Sequence, residues 1–262
     1  MRMLVTPEPR GHFVQFSGAD ERFLIGNVGR FLFEGLETGE GLVVIATPER
    51  RDAFIREVAR LGGDPEAAMA DGRFQLYDRD KTLEQICVAG QPNRNRFETV
   101  VGGALENVPA ERIRAYGEMV GKLWSDDRRA EAILLEQMWN ELQTKIAFSL
   151  FCSYSIDVFG EDFELSRIDP VLCTHTHLFP GGLDRALDQA LNSAMDEVLG
   201  DRVESLRSLI KANYRPAWGV VPKPESVILW LRNNLPDLAE QVIGRAREHY
   251  DAISQEPTWE PA

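Results

Sequence analysis

Cysteine, net positive charge and long apolar runs are all scarce in this 262-residue sequence. The three cysteines are an odd number at wide spacing, which excludes the disulfide framework of a small secreted protein. No apolar run approaches the roughly 18 residues that a transmembrane helix needs, so we expect no membrane association. The N-terminal MRMLVTP lacks the apolar centre of a signal peptide. Together these absences predict a reduced, cytoplasmic protein.

The charge balance is acidic, with a net charge of −13 and an isoelectric point near 4.9. A protein that binds nucleic acid directly needs a basic patch to neutralise phosphates, so we expect no direct nucleic-acid contact. The chain is 44% hydrophobic, which is enough for one sizeable core with a smaller helical part.

The chain is organised around residues 13–47, which read as strand, turn, helix and strand. An apolar strand at 13–16 is followed by a turn at Ser17-Gly18 and a helical pattern over 20–36. Ser17 and Asp20 fit a capping box at the start of that helix. The run LVVIA at 42–46 is apolar without alternation, as in a strand buried on both faces. This order predicts a strand–helix–strand unit and therefore a parallel sheet.

A phosphate-binding loop often occupies such a turn, with the pattern G-x-x-x-x-G-K-[ST]. Here Phe23, Leu24 and Ile25 stand where that pattern has glycine, lysine and a hydroxyl residue. Asp20 and Glu21 also place negative charge at the helix N-terminus, where it repels phosphate. We therefore expect no conventional nucleotide hydrolysis at this turn.

Strand and helix patterns alternate through residue 156, which predicts a doubly wound α/β sheet. A second helix begins at Pro48 with Thr47 as its N-cap. Further strands are predicted at 74–78, 113–118 and 148–156, with helices at 97–108 and 130–142 and a loop at 91–93. After a hinge at 180–182, one helix is predicted to end at 199 and another to begin at 203. Further helices are predicted around 227–231 and over 236–250, with a loop at 213–224. We divide the chain into an α/β domain at 1–180 and a helical C-terminal extension at 181–262.

Several short motifs, taken in order, resemble the MEDS family, a sensory domain of methanogen and methylotroph regulators that includes the dichloromethane-utilisation repressor. The matching stretches are His12-Phe13, FLFEGL (31–36), GEGLVVIAT (39–47), IRAYGEMV (113–120), LEQMWN (135–140), LFCSY (150–154) and His175-Thr176-His177. The resemblance covers roughly residues 11 to 180.

That family is similar in turn to the RecA-type core of the circadian-clock ATPase KaiC with an eroded nucleotide motif. The resemblance implies a three-layer α/β core around a parallel sheet, without a functional P-loop. Such ATPases have a catalytic carboxylate pair after the second strand, where this sequence has Thr47-Pro48-Glu49-Arg50 with one carboxylate. The resemblance also implies a role in signal transduction or transcription regulation. No DNA-binding or kinase module is recognisable, so the output of the signal stays open.

Ligands in open α/β sheets bind beyond the carboxyl ends of the strands, and polar residues gather there in this sequence. The candidates at this rim are Ser17, Gly18, Thr47, Glu49, Arg50, Asp78, Arg79, Asp80, Glu118 and Tyr154. Arg50 or Arg79 could replace the missing lysine as phosphate contacts. The alternative is that caps and turns require the same residue types.

His12 and Glu136 are further candidates for ligand binding. His12 precedes the first strand and could bind an anion or respond to pH, or it could be a packed structural histidine. Glu136 lies in an amphipathic helix, where it could coordinate a ligand, face solvent or pair with a cation. Trp139 in the same helix is expected in the core.

Cys173, His175 and His177 form the sharpest local cluster. On a strand they would share one face, and a thiolate with two imidazoles suits Zn²⁺. Strand spacing separates them by roughly 6.5–7 Å, which is wide for one ion, and no fourth ligand is nearby. Structural packing is the preferred interpretation, and we predict no metal site. Cys152 is expected to be an inert buried thiol rather than a redox sensor.

The combined prediction is a non-catalytic sensor that binds a small molecule or a regulatory protein at the rim. It would signal through its C-terminal helices, and a homodimer is one expected assembly. No cofactor is assigned. The alternatives are an atypical nucleotide or metal-dependent hydrolase, and a scaffold without a ligand.

Overall fold

Eight strands are present in the computed structural model, which describes residues 10–18, 21–179, 184–213 and 221–255. They are β1 (His12–Phe16), β2 (Gly41–Ala46), β3 (Phe74–Asp78), β4 (Cys87–Val88), β5 (Gln91–Pro92), β6 (Ile113–Gly117), β7 (Phe148–Tyr154) and β8 (His177–Phe179). Six of them form one sheet in the order β3-β2-β6-β7-β1-β8, and every pairing in it is parallel. The predicted parallel sheet is therefore confirmed.

Helices follow most of the strands. In the α/β part they are α1 (Arg22–Glu37), α2 (Pro48–Arg60), α3 (Pro65–Ala70), α4 (Arg79–Ile86), α5 (Arg94–Phe97), α6 (Gly103–Glu106), α7 (Met119–Ser125), α8 (Arg129–Lys145) and α9 (Leu165–Thr174). The C-terminal helices are α10 (Asp184–Leu199), α11 (Val203–Asn213), α12 (Lys223–Asn234) and α13 (Pro236–Gln255).

The sheet separates two hydrophobic clusters, which gives a three-layer α/β arrangement. Side chains of α1 and α2, among them Leu24, Phe31 and Phe54, pack on one face. The opposite face is covered by helices from α4 to α9 and by the C-terminal helices. Because both faces are covered, the central strands are buried throughout, as their unbroken apolar runs predict.

Two helix starts test the capping predictions. Thr47 caps α2, since its Oγ1 accepts a hydrogen bond from the Arg50 amide at 3.4 Å and Pro48 occupies the first helical position. The start of α1 differs from its prediction, because the helix begins at Arg22 and its N-cap, Glu21, makes no side-chain capping bond. Asp20, the second residue of the expected capping box, lies outside the described residues.

Three local features depart from the sequence predictions. The helix expected at 97–108 is interrupted by a π-helical turn over Glu98–Gly102, where two adjacent glycines weaken regular helix formation. The loop expected at 91–93 contains β5, which forms a small hairpin with β4. Helix α7 was not predicted, because its seven residues are too few for a clear helical period.

The C-terminal helices pack on the same face of the sheet as helices α4 to α9. Leu187 and Leu191 of α10 belong to the same hydrophobic cluster as Val14 and Phe16 of β1. The predicted stop at Gly200 is confirmed, since this residue ends α10 with a positive φ of 53°. The expected hinge at 180–182 and most of the expected loop at 213–224 lie outside the described residues, and the division into domains stays a prediction. Among the described helices, none has the length and apolar character to cross a membrane.

Candidate functional site

At the carboxyl edge of the sheet, several pairs of neighbouring strands send their connections to opposite faces. The connection after β1 leads to α1 on one face, and the connection after its neighbour β7 leads to α9 on the other. The neighbours β2 and β6 diverge in the same way, toward α2 and α7. Such switch points form crevices that bind ligands in open α/β sheets.

Glu118 lies at the switch point between β2 and β6, and its carboxylate is 1% exposed. Oε1 accepts a hydrogen bond from the Thr47 amide at 2.5 Å, and Oε2 accepts one from the Tyr116 hydroxyl at 3.4 Å. Arg50 pairs with Oε2, and a guanidinium nitrogen of Arg79 lies 3.9 Å from Oε1. The predicted rim residues Thr47, Arg50 and Glu118 therefore meet in one ion-pair network.

Arg50 connects this network to solvent. Its guanidinium donates to both carboxylate oxygens of Glu21, at 2.6 and 3.3 Å, and Glu21 is nearly half exposed. Burial opposes the charge on Arg50, but the hydrogen bonds to Glu21 and the nearby Glu118 outweigh it and raise its pKa. Arg50 is thus a cation shared between one buried and one exposed carboxylate.

Tyr116 extends the network across the sheet. Its hydroxyl lies 2.7 Å from the Ser153 Oγ of β7, in addition to its bond to Glu118. Burial, reinforced by the Glu118 charge, raises the pKa of Tyr116, so the phenol stays protonated and can donate. A continuous chain of polar contacts therefore runs from α2 to the last residues of β7.

The predicted rim residues Ser17, Gly18 and Asp78 lie at other positions along the same edge. Ser17 is held against β7, because its amide donates to the Tyr154 carbonyl at 2.9 Å. Gly18 lies beside the segment that follows β7, and a Cβ built on it would be 3.9 Å from the Asp157 carboxyl carbon. Asp78 accepts a hydrogen bond from the Lys81 amide at 3.0 Å as the N-cap of α4, and this bond lowers its pKa. The structure gives Asp78 the capping role that was the alternative to ligand binding.

A second cluster lies between the sheet and α8, away from the rim. His12 at the start of β1 places Nε2 3.3 Å from Glu136 Oε2 and 3.4 Å from Cys152 Sγ. His175, which directly follows α9, places Nε2 3.3 Å from Glu136 Oε1. The Tyr154 hydroxyl donates to Glu136 Oε1 at 2.6 Å. The side chain of Tyr154, which was predicted at the rim, therefore lies in this cluster with His12 and Glu136. Glu136 does not face solvent, since it is fully buried.

Outer hydrogen bonds fix the orientation of both histidines. His175 Nδ1 lies 2.6 Å from the Val171 carbonyl oxygen, which can only accept, so Nδ1 carries the proton. Asn140 donates through Nδ2 to the Thr174 carbonyl at 2.9 Å, which turns its Oδ1 toward His12 Nδ1, also at 2.9 Å. His12 therefore also donates from Nδ1, and both Nε2 atoms point into the cluster.

Burial dominates the proton affinities in this cluster. It lowers the pKa of His12, with a further contribution from His175. Burial and the Glu136 charge raise the pKa of both Cys152 and Tyr154 well above their usual ranges. Burial opposes ionisation of Glu136 as well, but the two histidines beside it outweigh this and lower its pKa. The predicted burial of Cys152 is confirmed, and its surroundings are polar rather than purely apolar.

The strand interpretation of residues 173–177 is wrong. Cys173 lies in α9, exposed and near Asp169, while His177 begins β8 and is half-buried. Because the chain changes from helix to strand at His175, the three side chains do not share a face. Of the three residues, only His175 belongs to the group whose ligand atoms converge.

Sequence reasoning missed this convergence because its members are distant along the chain. Within α8, Glu136 and Asn140 are four residues apart and share a helix face, a signal that is readable in the sequence. Their contacts to β1, β7 and the end of α9 depend on the sheet order, which local patterns do not specify. Trp139, predicted in the core, is 1% exposed and packs there.

Residues 11–176 match the model of the MEDS family, described as the methanogen/methylotroph, DcmR sensory domain. This match spans well over half of the chain and includes both clusters. No curated protein sequence matches the chain.

Proposed function

We propose, since the chain belongs to the MEDS family of sensory domains, that it is a non-catalytic sensor that transmits a binding event at the carboxyl edge to its C-terminal helices. The ligand we infer is a small molecule with an anionic group, with an acidic segment of a regulatory protein as the alternative. The output is regulatory, in signal transduction or transcription, through a partner or a homodimer that uses the C-terminal helices.

One observation carries this proposal: α12 holds the segment 155–164, which leaves the carboxyl edge directly after β7. Arg232 donates to three backbone carbonyl oxygens of that segment, those of Phe159 at 3.0 Å, Gly160 at 2.6 Å and Phe163 at 3.3 Å. A planar guanidinium with several donors fixes the relative positions of these carbonyls. Any displacement of the segment must therefore move α12 or break these bonds.

Helix α13 contacts the same segment. Arg247 pairs with Asp157 and lies 5.5 Å above the Phe159 ring, and the Tyr250 ring lies 5.5 Å from the Phe159 ring. Asp157 is also the residue beside Gly18 at the edge. The segment thus lies between the end of β1 and the last helix, which supports a route for the signal.

Arg50 supports an anionic ligand. Its partner Glu21 is nearly half exposed, so an incoming carboxylate or phosphate could replace Glu21 without leaving the guanidinium unpaired. The exchange would reach Ser153 through Glu118 and Tyr116, and Ser153 is next to the residue that ends β7. The resemblance to an eroded RecA/KaiC-like core agrees with a crevice that has kept its place and lost its hydrolytic residues.

Two features support a sensor rather than a hydrolase. Leu24, at the position of the phosphate-loop lysine, is fully buried in the cluster under α1 and offers no cation. Glu118, the carboxylate nearest a switch point, is engaged by an amide, a phenol and arginines, which leaves it poorly placed to activate water.

A thermal-shift titration tests the proposed site. The probes are ATP, ADP and GTP with Mg²⁺, inorganic phosphate, acetate, and methanol and methylamine for the one-carbon compounds that the family description points to. We expect at least one anionic probe to raise the melting temperature, because binding to the folded state stabilises it. We expect Arg50→Met to abolish this shift, while Arg60→Met, an exposed arginine of the same helix that pairs with Glu57, retains it.

A shift that persists in Arg50→Met would contradict the proposed site. ATP turnover that is lost in Glu118→Gln would contradict the non-catalytic role and favour the hydrolase.

A further inference from the structure

The geometry points to a buried metal site formed by His12, Glu136, Cys152 and His175, which we propose binds one Zn²⁺-like divalent transition-metal ion. Each residue offers one ligand atom, and these four atoms all lie within 4.8 Å of one another. The proposal is independent of the sensory site at the carboxyl edge.

Several separations between the ligand atoms match those around a tetrahedral ion. Bond lengths of roughly 2.0–2.3 Å to nitrogen, oxygen and sulfur in a tetrahedron place neighbouring ligand atoms about 3.3–3.8 Å apart. Here His12 Nε2 lies 3.3 Å from Glu136 Oε2 and 3.4 Å from Cys152 Sγ, and Cys152 Sγ lies 3.7 Å from Glu136 Oε2. His175 Nε2 lies 3.3 Å from the other oxygen of Glu136.

The Nε2 atoms of the two histidines are available to accept a bond at the centre of the cluster. His12 and His175 use Nδ1–H for the outer acceptors Asn140 and Val171, so each ring in its neutral form presents an Nε2 lone pair to the centre. His175 Nε2 is buried and has no hydrogen-bond partner among the described residues. Such a buried acceptor is costly unless something fills its lone pair, and a metal ion does so.

The outer hydrogen bonds are those that metal-binding histidines require. Ligating imidazoles donate their second N–H to a carbonyl or carboxylate, which fixes the tautomer and the ring orientation. His175 donates to the Val171 carbonyl, and His12 donates to the Asn140 amide oxygen, which is itself oriented by the Thr174 carbonyl. Tyr154 donates to Glu136 and so orients the carboxylate.

Charge is balanced when the ion is bound. Two neutral imidazoles, one carboxylate and one thiolate carry two negative charges, which a divalent cation cancels. Neutrality is important because every ligand residue is buried, and an unbalanced charge there would be expensive. Binding converts the Cys152 thiol to a thiolate and releases its proton to solvent.

The ligand set favours zinc among divalent metals and a structural role. Imidazole and thiolate ligands suit Zn²⁺ and its analogue Co²⁺ better than Mg²⁺ or Ca²⁺, which prefer oxygen. All four coordination positions are supplied by the protein, as in closed structural zinc sites. The ion would join β1, β7, α8 and the residue that follows α9, which come from distant parts of the chain.

Metal analysis of the purified full-length chain tests the proposal. The protein is expressed with zinc in the medium and purified without chelators, and its metal content is measured by inductively coupled plasma mass spectrometry. We expect about one zinc per chain in the wild type. We expect Cys152→Ser and Glu136→Gln to retain a small fraction of this, while Cys173→Ser, which removes an exposed thiol two residues from His175, retains all of it.

Cobalt substitution gives a readout that does not depend on how well the variants fold. Wild-type protein is unfolded, freed of metal and refolded with Co²⁺. A thiolate-to-cobalt absorption band in the near ultraviolet and intense visible bands of tetrahedral cobalt would support the site, and Cys173→Ser would give the same spectrum. Wild-type protein that purifies without stoichiometric metal and refolds with Co²⁺ to its native circular dichroism without these bands would overturn the proposal.

Discussion

At the scale of single residues, a buried ion pair at the start of β2 shows how the fold accommodates charge. Glu40 binds Arg114 of β6 through Oε2 at 2.6 Å and also pairs with Arg112. Arg114 is fully buried, donates to the Phe31 carbonyl at 2.8 Å and lies over the Phe31 ring. Arg112, in contrast, is 58% exposed. One carboxylate therefore neutralises a buried and an exposed cation.

This arrangement predicts unequal effects on stability. Glu40→Gln removes the carboxylate that bonds directly to the buried Arg114 guanidinium, and we expect a loss of roughly 3 kcal/mol in the free energy of unfolding. Arg112→Gln removes only an exposed pairing and should cost less than about 1 kcal/mol. Urea denaturation of both variants measures the difference. Equal losses in the two variants would show that burial of Arg114 is not what makes Glu40 important.

The residues of the rim network could be predicted together from the sequence, whereas the convergence of the buried cluster around Glu136 could not. The rim residues Thr47, Arg50 and Glu118 were predicted together, because each lies where a buried strand ends and polar residues begin. The partners of His12 were not predicted, since Glu136 is 124 positions away in sequence and only the sheet order joins them. The strand interpretation of residues 173–177 failed because the helix continues to Thr174 and the strand begins only at His177, a boundary that alternating residue types do not reveal.

At the scale of elements, α7 is packed unusually close to the sheet. A Cβ built on Gly121 would lie 2.4 Å from the Ser153 carbonyl oxygen of β7, which is backbone and cannot rotate away. The glycine therefore allows the helix to approach the end of β7, beside the polar chain that contains Tyr116 and Ser153. Gly244 in α13 is also helical, but a Cβ there would meet nothing within 4 Å.

Replacing each of these two helical glycines with alanine gives a matched pair of variants. We expect Gly121→Ala to lower the free energy of unfolding by roughly 1–3 kcal/mol, because α7 must move away from β7. We expect Gly244→Ala to raise it by up to about 1 kcal/mol, because alanine favours the helix. Thermal or urea unfolding provides both values. Stabilisation by Gly121→Ala would contradict the close approach of α7 to β7.

Element prediction succeeded where local chemistry is decisive. The strands β2 and β3 and the start of α2 follow from apolar runs and a threonine–proline cap, which act within a few residues. The π-helical turn and α7 did not follow from local patterns, because the first interrupts a helical period and the second is too short to show one. The order of the six strands is a property of the whole chain, and the sequence predicted only that they are parallel.

At the scale of the whole molecule, residues 155–164 lie between the sheet and the C-terminal helices and contact both. Polar contacts lead from Arg50 through Glu118 and Tyr116 to Ser153, and Arg232 and Arg247 hold the chain that follows. Spatial continuity alone does not demonstrate coupling, so the energetic connection has to be measured. Coupling between sites is reciprocal, and a change at the helices must therefore be detectable at the edge.

Hydrogen–deuterium exchange of Arg232→Met tests this connection most directly, with Arg245→Met as its control. Arg245 is a surface arginine whose ion pairs among the described residues are with Glu197 and Glu248 of the C-terminal helices. We expect Arg232→Met to speed amide exchange in residues 155–164 and also at the Thr47 amide, which is bonded to Glu118 across the edge. The control should change neither region. Faster exchange confined to α12 and α13 in Arg232→Met would contradict the account, because the helices would then be uncoupled from the carboxyl edge.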